Sequence, residues 1–424
     1  MQINRIKSGL PGEEYSVIKH PSGLDLLLYP MQGFTGTYAC FVTKYGSIDT
    51  AFKFAGENEF TEVPEGIAHF LEHKLFEGED GEDAFNRFAE TGANANAYTS
   101  FDRTAYLFSC TDNFAASLEI LLDFVTHPYF TQETVQKEQG IIGQEIRMEE
   151  DNPDWRVFFN LLSAVYHNNP VRIDIAGTVD SIAQIDADLL HRCYKVFYNL
   201  NNMALVVAGN FSEQEVIAAA DKILKPAPEF TIERKRFDEP REIRTDYIEQ
   251  VLPVATPIFH IGFKADAAAT EDELLKNQML DELLVEILTG EASPLYRRMY
   301  DSGLINATFS AEVMVGRGFS LAIFSGESRE PIRVKEELIA ELERCKREGL
   351  DPVVFDCCKK AAYGRYIGTF ARTEAVAGVM AHCHFAGIQV WQILDFIAGI
   401  TPEQLTARLM LLEPGRCALS VIHA

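Results

Sequence analysis

The run His69-Phe70-Leu71-Glu72-His73 sets two imidazoles and a carboxylate within five residues. In a helix, at about 100° per residue, His69, Glu72, His73 and Phe76 fall on one arc, while Ile67, Leu71 and Lys74 lie largely opposite. Local signals predict that helix, because Pro64 stands where helices begin and Gly78 where they stop. Two His at i and i+4 can grip one metal ion from adjacent turns. A Glu one turn from the first His then reaches the water that the metal activates. Paired histidines on a helix are also common as plain core or surface residues, so a metal reading requires a third protein ligand.

The best source of one is the stretch from Thr131 to Glu150, which predicts a helix with Thr131 as N-cap, acids in its first turn and Asn152-Pro153 at its end. Glu138 and Glu145 are two turns apart and share a face. Gly140 and Gly143 lie between them, each costing about 1 kcal/mol against Ala in a helix. Small residues there would let a second helix approach, as a metal held between two helices needs. An exposed acidic helix is the plainer alternative. On residue types alone Glu138, Glu145, Glu149 and Glu150 all stay open as ligands.

The elements that must position these groups fit two domains, since the chain has 424 residues, 47% of them apolar. Strand-like runs at Leu24–Tyr29, Ala39–Thr43, Ala105–Ser109 and Ala204–Ala208 alternate with long helices, which predicts an α+β layer per domain. The halves echo each other. The stretch from Phe85 through Gly92 parallels that from Leu295 through Gly303, and Phe108-Ser109 parallels Phe324-Ser325. Ile182–Ile185 matches Ile397–Ile400, and Asn202-Met-Ala-Leu-Val-Val matches Arg416-Cys-Ala-Leu-Ser-Val, at an offset of about 214. Duplication predicts residues 1–224 as one domain and 245–424 as its homologue, joined by a Pro-rich, charged linker at 225–244. The second copy reads LDELLVEILTG where the first has its His pair, so only the first could hold the metal.

A net charge of −25 argues against a nucleic-acid partner, which requires clustered Lys and Arg. No apolar run reaches the 18 residues of a membrane span, and the start MQINRIKSGLPGEEYSV lacks a secretory apolar core. Eight scattered Cys without a C-x-x-C predict reduced thiols and a cytoplasmic protein. His382-Cys383-His384 reads as helix packing, because neighbours one and two apart point in different directions.

Taken together, the His69–His73 motif (H-x-x-E-H, the inverzincin signature), the 72-residue spacing from His73 to Glu145 and the Glu138/Glu145 pair resemble the pitrilysin and mitochondrial processing peptidase family. The segment Gly92–Ser100 resembles that family's substrate-side strand, and Asn201–Gly209 the strand that closes its catalytic half. HFLEHKLFEGED and GIIGQEIRMEEDNPDW are similar to its YmfH-like bacterial branch. The resemblance implies two homologous domains, each a mainly antiparallel sheet with helices packed on it, forming half of a clamshell chamber. It implies Zn2+ held by His69, His73 and Glu145, with Glu72 as general base. Glu138 would orient a ligand from behind, and Asn96 and Ala97 would lie beside a peptide docked as an added β-strand.

Family enzymes also place an Arg and a Tyr in the second half to hold the substrate carbonyl. Here Tyr300 stands where the Arg is expected and Asn306 near the expected Tyr, with Arg297 and Arg298 out of register. The resemblance therefore implies a zinc-bearing endopeptidase subunit that acts on peptides. Its partner would be a homologous Arg/Tyr-bearing subunit in a heterodimer, with a homodimer as the alternative pairing. Two other classes compete. One is a non-catalytic scaffolding or peptide-binding homologue, disfavoured by the intact motif. The other is a small-molecule metal lyase with the same H-x-x-E-H string, which would account for neither linker nor second copy.

Overall fold

A computed structural model describes residues 2–8, 13–79 and 81–424. The chain folds into two compact units. The first comprises Met1–Ile146, Asp174–Lys235 and Gly368–Trp391, and the second Arg147–Ile173, Arg236–Ile367 and Gln392–Ala424.

Unit one is built on a seven-stranded sheet. Its strands are β1 (Gln2–Lys7), β2 (Glu14–Lys19), β3 (Asp25–Pro30), β4 (Thr37–Thr43), β7 (Asn94–Thr99), β8 (Thr104–Cys110) and β9 (Met203–Gly209). Their order is β1-β2-β3-β9-β4-β8-β7, with β3 and β9 the one parallel pair. Position follows composition. The runs TYACFVT of β4 and MALVVAG of β9 are apolar enough to be covered on both faces, and every residue in them is buried. NANAYT of β7 alternates exposed and half-buried residues, as suits an edge strand. A small sheet of β5 (Ala51–Phe54), β6 (Thr61–Glu62) and β10 (Ile232–Arg234) forms alongside, with β10 drawn from the Pro-rich stretch.

Unit two carries β11 (Tyr247–Val251), β12 (Ile258–Lys264), β13 (Ser310–Gly316), β14 (Phe319–Glu327) and β15 (Cys417–His423), ordered β11-β15-β12-β14-β13. This repeats β3-β9-β4-β8-β7 strand for strand, including the one parallel pair. Gly92 and Gly303, matched in the sequence, both follow a helix with positive φ, 77° and 72°. The expected α+β architecture of two sheets, each mainly antiparallel and packed with helices, is what the chain adopts. One helix from each half of the sequence completes the other unit. The helix Pro153–Val165 packs on β12 and β15, and Thr373–Ala386 on the equivalent β4 and β9. All eight cysteines are free. Among the described residues no helix is long and apolar enough to cross a membrane.

The helix Ile67–Leu75 is fixed by its apolar face, with Ile67, Phe70, Leu71 and Leu75 in the core of unit one. Lys74 lies on that covered side, fully buried, and bonds Glu77 at 2.5 Å, which supplies the partner a buried ammonium needs. The helix is entered through Gly66 at φ 87°, where a Cβ would stand 2.3 Å from the Ala176 carbonyl oxygen. The second helix runs Gln132–Glu150, and the Thr131 hydroxyl accepts from the Thr134 amide at 3.2 Å. The idea that both glycines admit a neighbouring helix is corrected at Gly140, where a Cβ would meet nothing within 4 Å. Gly143 is buried.

Gly66→Ala should therefore destabilise the chain by about 2–4 kcal/mol, from left-handed backbone strain plus overpacking. Urea denaturation checks this; an unchanged midpoint would show that the helix start can shift.

Candidate metal site

Three side chains converge between the two helices. His69, His73 and Glu145 each offer a ligand atom, and these atoms all lie within 4.8 Å of one another. The Glu145 carboxylate straddles the imidazoles, with Oε1 3.6 Å from His69 Nε2 and Oε2 3.6 Å from His73 Nε2. Those separations are too long for hydrogen bonds. They suit atoms sharing a cation, because ligands about 2.1 Å from a tetrahedral zinc stand about 3.4 Å apart. The geometry thus fits a divalent metal better than a bonded His–Glu pair.

The protonation of His69 fits as well. Burial, helped by the neighbouring His73, pushes His69 down to about 3, so its imidazole stays neutral with a lone pair to give. His69 Nδ1 is buried and finds no hydrogen-bond partner among the described residues. Burial works against a charged His73, but its bond to Glu138 and the carboxylates of Glu145 and Glu72 outweigh that, and its pKa is raised. His73 Nδ1 lies 3.1 Å from Glu138 Oε1. In the neutral ring, donation there leaves Nε2 as the lone-pair nitrogen facing Glu145. A buried carboxylate, Glu138, thus stands behind one imidazole.

Glu72 is only 8% exposed, and Thr99 Oγ1 donates to its Oε2 at 2.5 Å. Burial raises the Glu72 pKa, opposed by the Thr99 bond and by His73 and reinforced by Glu145. A cavity of about 410 Å³ opens beside Glu72 and His73, walled by Phe76, Phe85, Asn96, Ala97 and Ile141 among others. Asn96 and Ala97 sit on edge strand β7, where the Asn96 side chain accepts from the Ala97 amide at 2.9 Å.

The structure thus brings His69, Glu72, His73, Glu138, Glu145, Asn96 and Ala97 into one region of unit one. It separates the glutamates that the sequence left open. Glu149 bonds the Asn152 side chain at 2.8 Å, and Glu150 is exposed. Thr99 was missed, although its place two residues beyond Ala97 put it on the same strand face. The His382–His384 stretch forms no metal-binding group among the described residues; His384 pairs with Asp25 at 3.4 Å and Cys383 is buried. In unit two, Arg298 pairs with Glu341 at 3.3 Å, and Asn306 bonds Glu327 at 2.8 Å. Tyr300 is exposed.

Comparison with known proteins gives the same class. Residues 55–179 match the model for Insulinase (Peptidase family M16), and residues 184–361 that for Peptidase M16 inactive domain. A Bacillus subtilis (strain 168) protein named "Uncharacterized zinc protease YmfH" is 40% identical over 393 residues, 91% of each chain. The solved structure of an M16-like protein from Alicyclobacillus acidocaldarius superposes with a TM-score of 0.93 at 34% identity, covering 99% of this chain and 100% of that one. A protease from Helicobacter pylori shares the fold at a TM-score of 0.83 and 19% identity, over 97% of this chain and all of that one. The chain belongs to peptidase family M16.

Replacing Glu138 by Gln should lower zinc affinity about 10–100-fold, by weakening the hold on the His73 ring. Competition against a chromogenic chelator measures it; unchanged affinity would show that Glu138 does not act on the site.

Proposed function

We propose that the chain is the zinc-bearing subunit of an endopeptidase that cuts peptides or small unfolded proteins. His69, His73 and Glu145 are the ligands, Glu138 orients His73, and Glu72 is the general base. The single observation that carries this reading is the paired 3.6 Å approach of one carboxylate to two Nε2 atoms, with Glu72 buried at the same cavity.

When bound, zinc polarises a peptide carbonyl and lowers the pKa of water toward about 7. Glu72 then takes the proton of the attacking water and returns it to the departing amine, and its burial keeps that carboxylate basic enough to accept it. Asn96 and Ala97, on an edge strand, lie along the peptide, which pairs through its backbone and so admits varied side chains. With Tyr300 and Asn306 at the carbonyl-holding positions, a homologous Arg/Tyr-bearing subunit supplies that function. Free thiols suit work in a reducing compartment such as the cytoplasm. Those same substitutions favour a second reading, a peptide-binding homologue that does not cleave.

The test is cleavage of a quenched, unstructured peptide library by the zinc-quantified chain, alone and mixed with an Arg/Tyr-bearing homologue from the same organism. Turnover on mixing is expected, with Glu72→Gln retaining zinc and losing about 100-fold or more of the rate. Zinc without turnover in either condition would favour the binding reading, and absence of zinc would overturn the peptidase reading.

A further inference from the structure

We infer that Thr99 is the positioning residue for Glu72, holding one carboxylate oxygen so that the other meets the proton in transit. The inference rests on Glu72 being the base.

The hairpin geometry leaves Thr99 little freedom. It is the last residue of β7, directly opposite Thr104, and the turn is closed by the Ser100 amide bonding the Arg103 carbonyl at 2.8 Å. Thr104 is fully buried, and its hydroxyl donates to the Tyr45 carbonyl at 2.9 Å. A hydroxyl has one proton, so Thr104 has none left for Thr99, whose oxygen lies 3.4 Å away. Thr99 has one proton of its own, and it goes to Glu72 Oε2, a charged acceptor at the short separation of 2.5 Å, rather than to the Thr104 oxygen at 3.4 Å.

That bond does what the helix cannot. The helix fixes the Cα of Glu72 but leaves three side-chain torsions, and a carboxylate buried among other acids needs a donor to stay put. Thr99 supplies it from a different element, the strand that carries Asn96 and Ala97. The anchor of the base thus sits two residues from the proposed peptide-docking backbone. Alternation along the strand puts Thr99 and Ala97 on the same face, and Ala97 packs against the core of unit one.

The test compares the zinc-loaded full chain with Glu72→Gln, Thr99→Val and Thr99→Ser, at matched zinc content and thermal midpoint. Binding of a peptide hydroxamate, whose hydroxyl proton passes to the basic carboxylate, is read by calorimetry, and kcat is read wherever turnover occurs. Thr99→Val should weaken hydroxamate binding about 10-fold or more, the loss expected for a bond to a charged group, and lower kcat with little change in KM. Thr99→Ser, which keeps the hydroxyl, should recover most of that loss. Binding by Thr99→Val equal to wild type, while Glu72→Gln is weakened, would overturn the inference and leave the base assignment standing. A Thr99→Ser variant as weak as Thr99→Val would also overturn it, because shape rather than the hydroxyl would then matter. No weakening in Glu72→Gln, or no binding by the wild-type chain, would remove the base or metal reading and this inference with it.

Discussion

Negative charge crowded into a half-buried space is the constraint on which the rest of unit one depends. Glu72, Glu138 and Glu145 surround two imidazoles, one of which burial keeps neutral. Such a set is costly without a cation, because Glu72 and Glu138 are buried and their carboxylates lose hydration. The surrounding architecture reads as the means of holding it. Gly66 lets the His helix start hard against the Ala176 carbonyl, four apolar residues bury its inner face, and Lys74 and Glu77 neutralise each other beneath it.

The repeated sheet shows how specific that arrangement is. Unit two reproduces the strand order and the parallel pair, and its helix Glu271–Thr289 packs on β13 as the His helix packs on the equivalent β7. There Asp281 is buried against Arg408, with Oδ1 2.7 Å from Nε. A guanidinium tied to a carboxylate satisfies both charges from within the chain. The same scaffold thus supports either an internal ion pair or a cluster that calls for an external cation.

Much of this was legible in the sequence, for identifiable reasons. Periodicity exposed the His helix, and caps and acids marked the Glu helix. Apolar runs without alternation marked β4 and β9, because a strand covered on both faces has no polar side to show. The exchange of helices Pro153–Val165 and Thr373–Ala386 was not legible, since an amphipathic helix records that one face is covered but not by which sheet. Choosing among Glu138, Glu145, Glu149 and Glu150 on residue types was equally out of reach. Helix phase puts Glu138 and Glu145 together, and only the placement of the second helix shows Glu145 facing both Nε2 atoms and Glu138 facing Nδ1. Thr99 escaped because a threonine in a strand carries no motif, and its meaning lies in the carboxylate that the His helix brings to its hydroxyl.

Edge strand β7 raises a further physical question, since an open edge invites indiscriminate pairing. Asn96 offers one answer. By accepting from the Ala97 amide at 2.9 Å, its side chain covers a donor that would otherwise face outward. An extended peptide pairing at that point has to replace the Asn96 oxygen with its own carbonyl, an exchange of like bonds with little net gain. Affinity would then have to come from the apolar wall of Phe76, Phe85 and Ile141 and from the metal end of the cavity. Under the proposed peptidase reading, such a site would hold loosely along the strand and firmly at the reacting carbonyl, as release of two products after each cut requires.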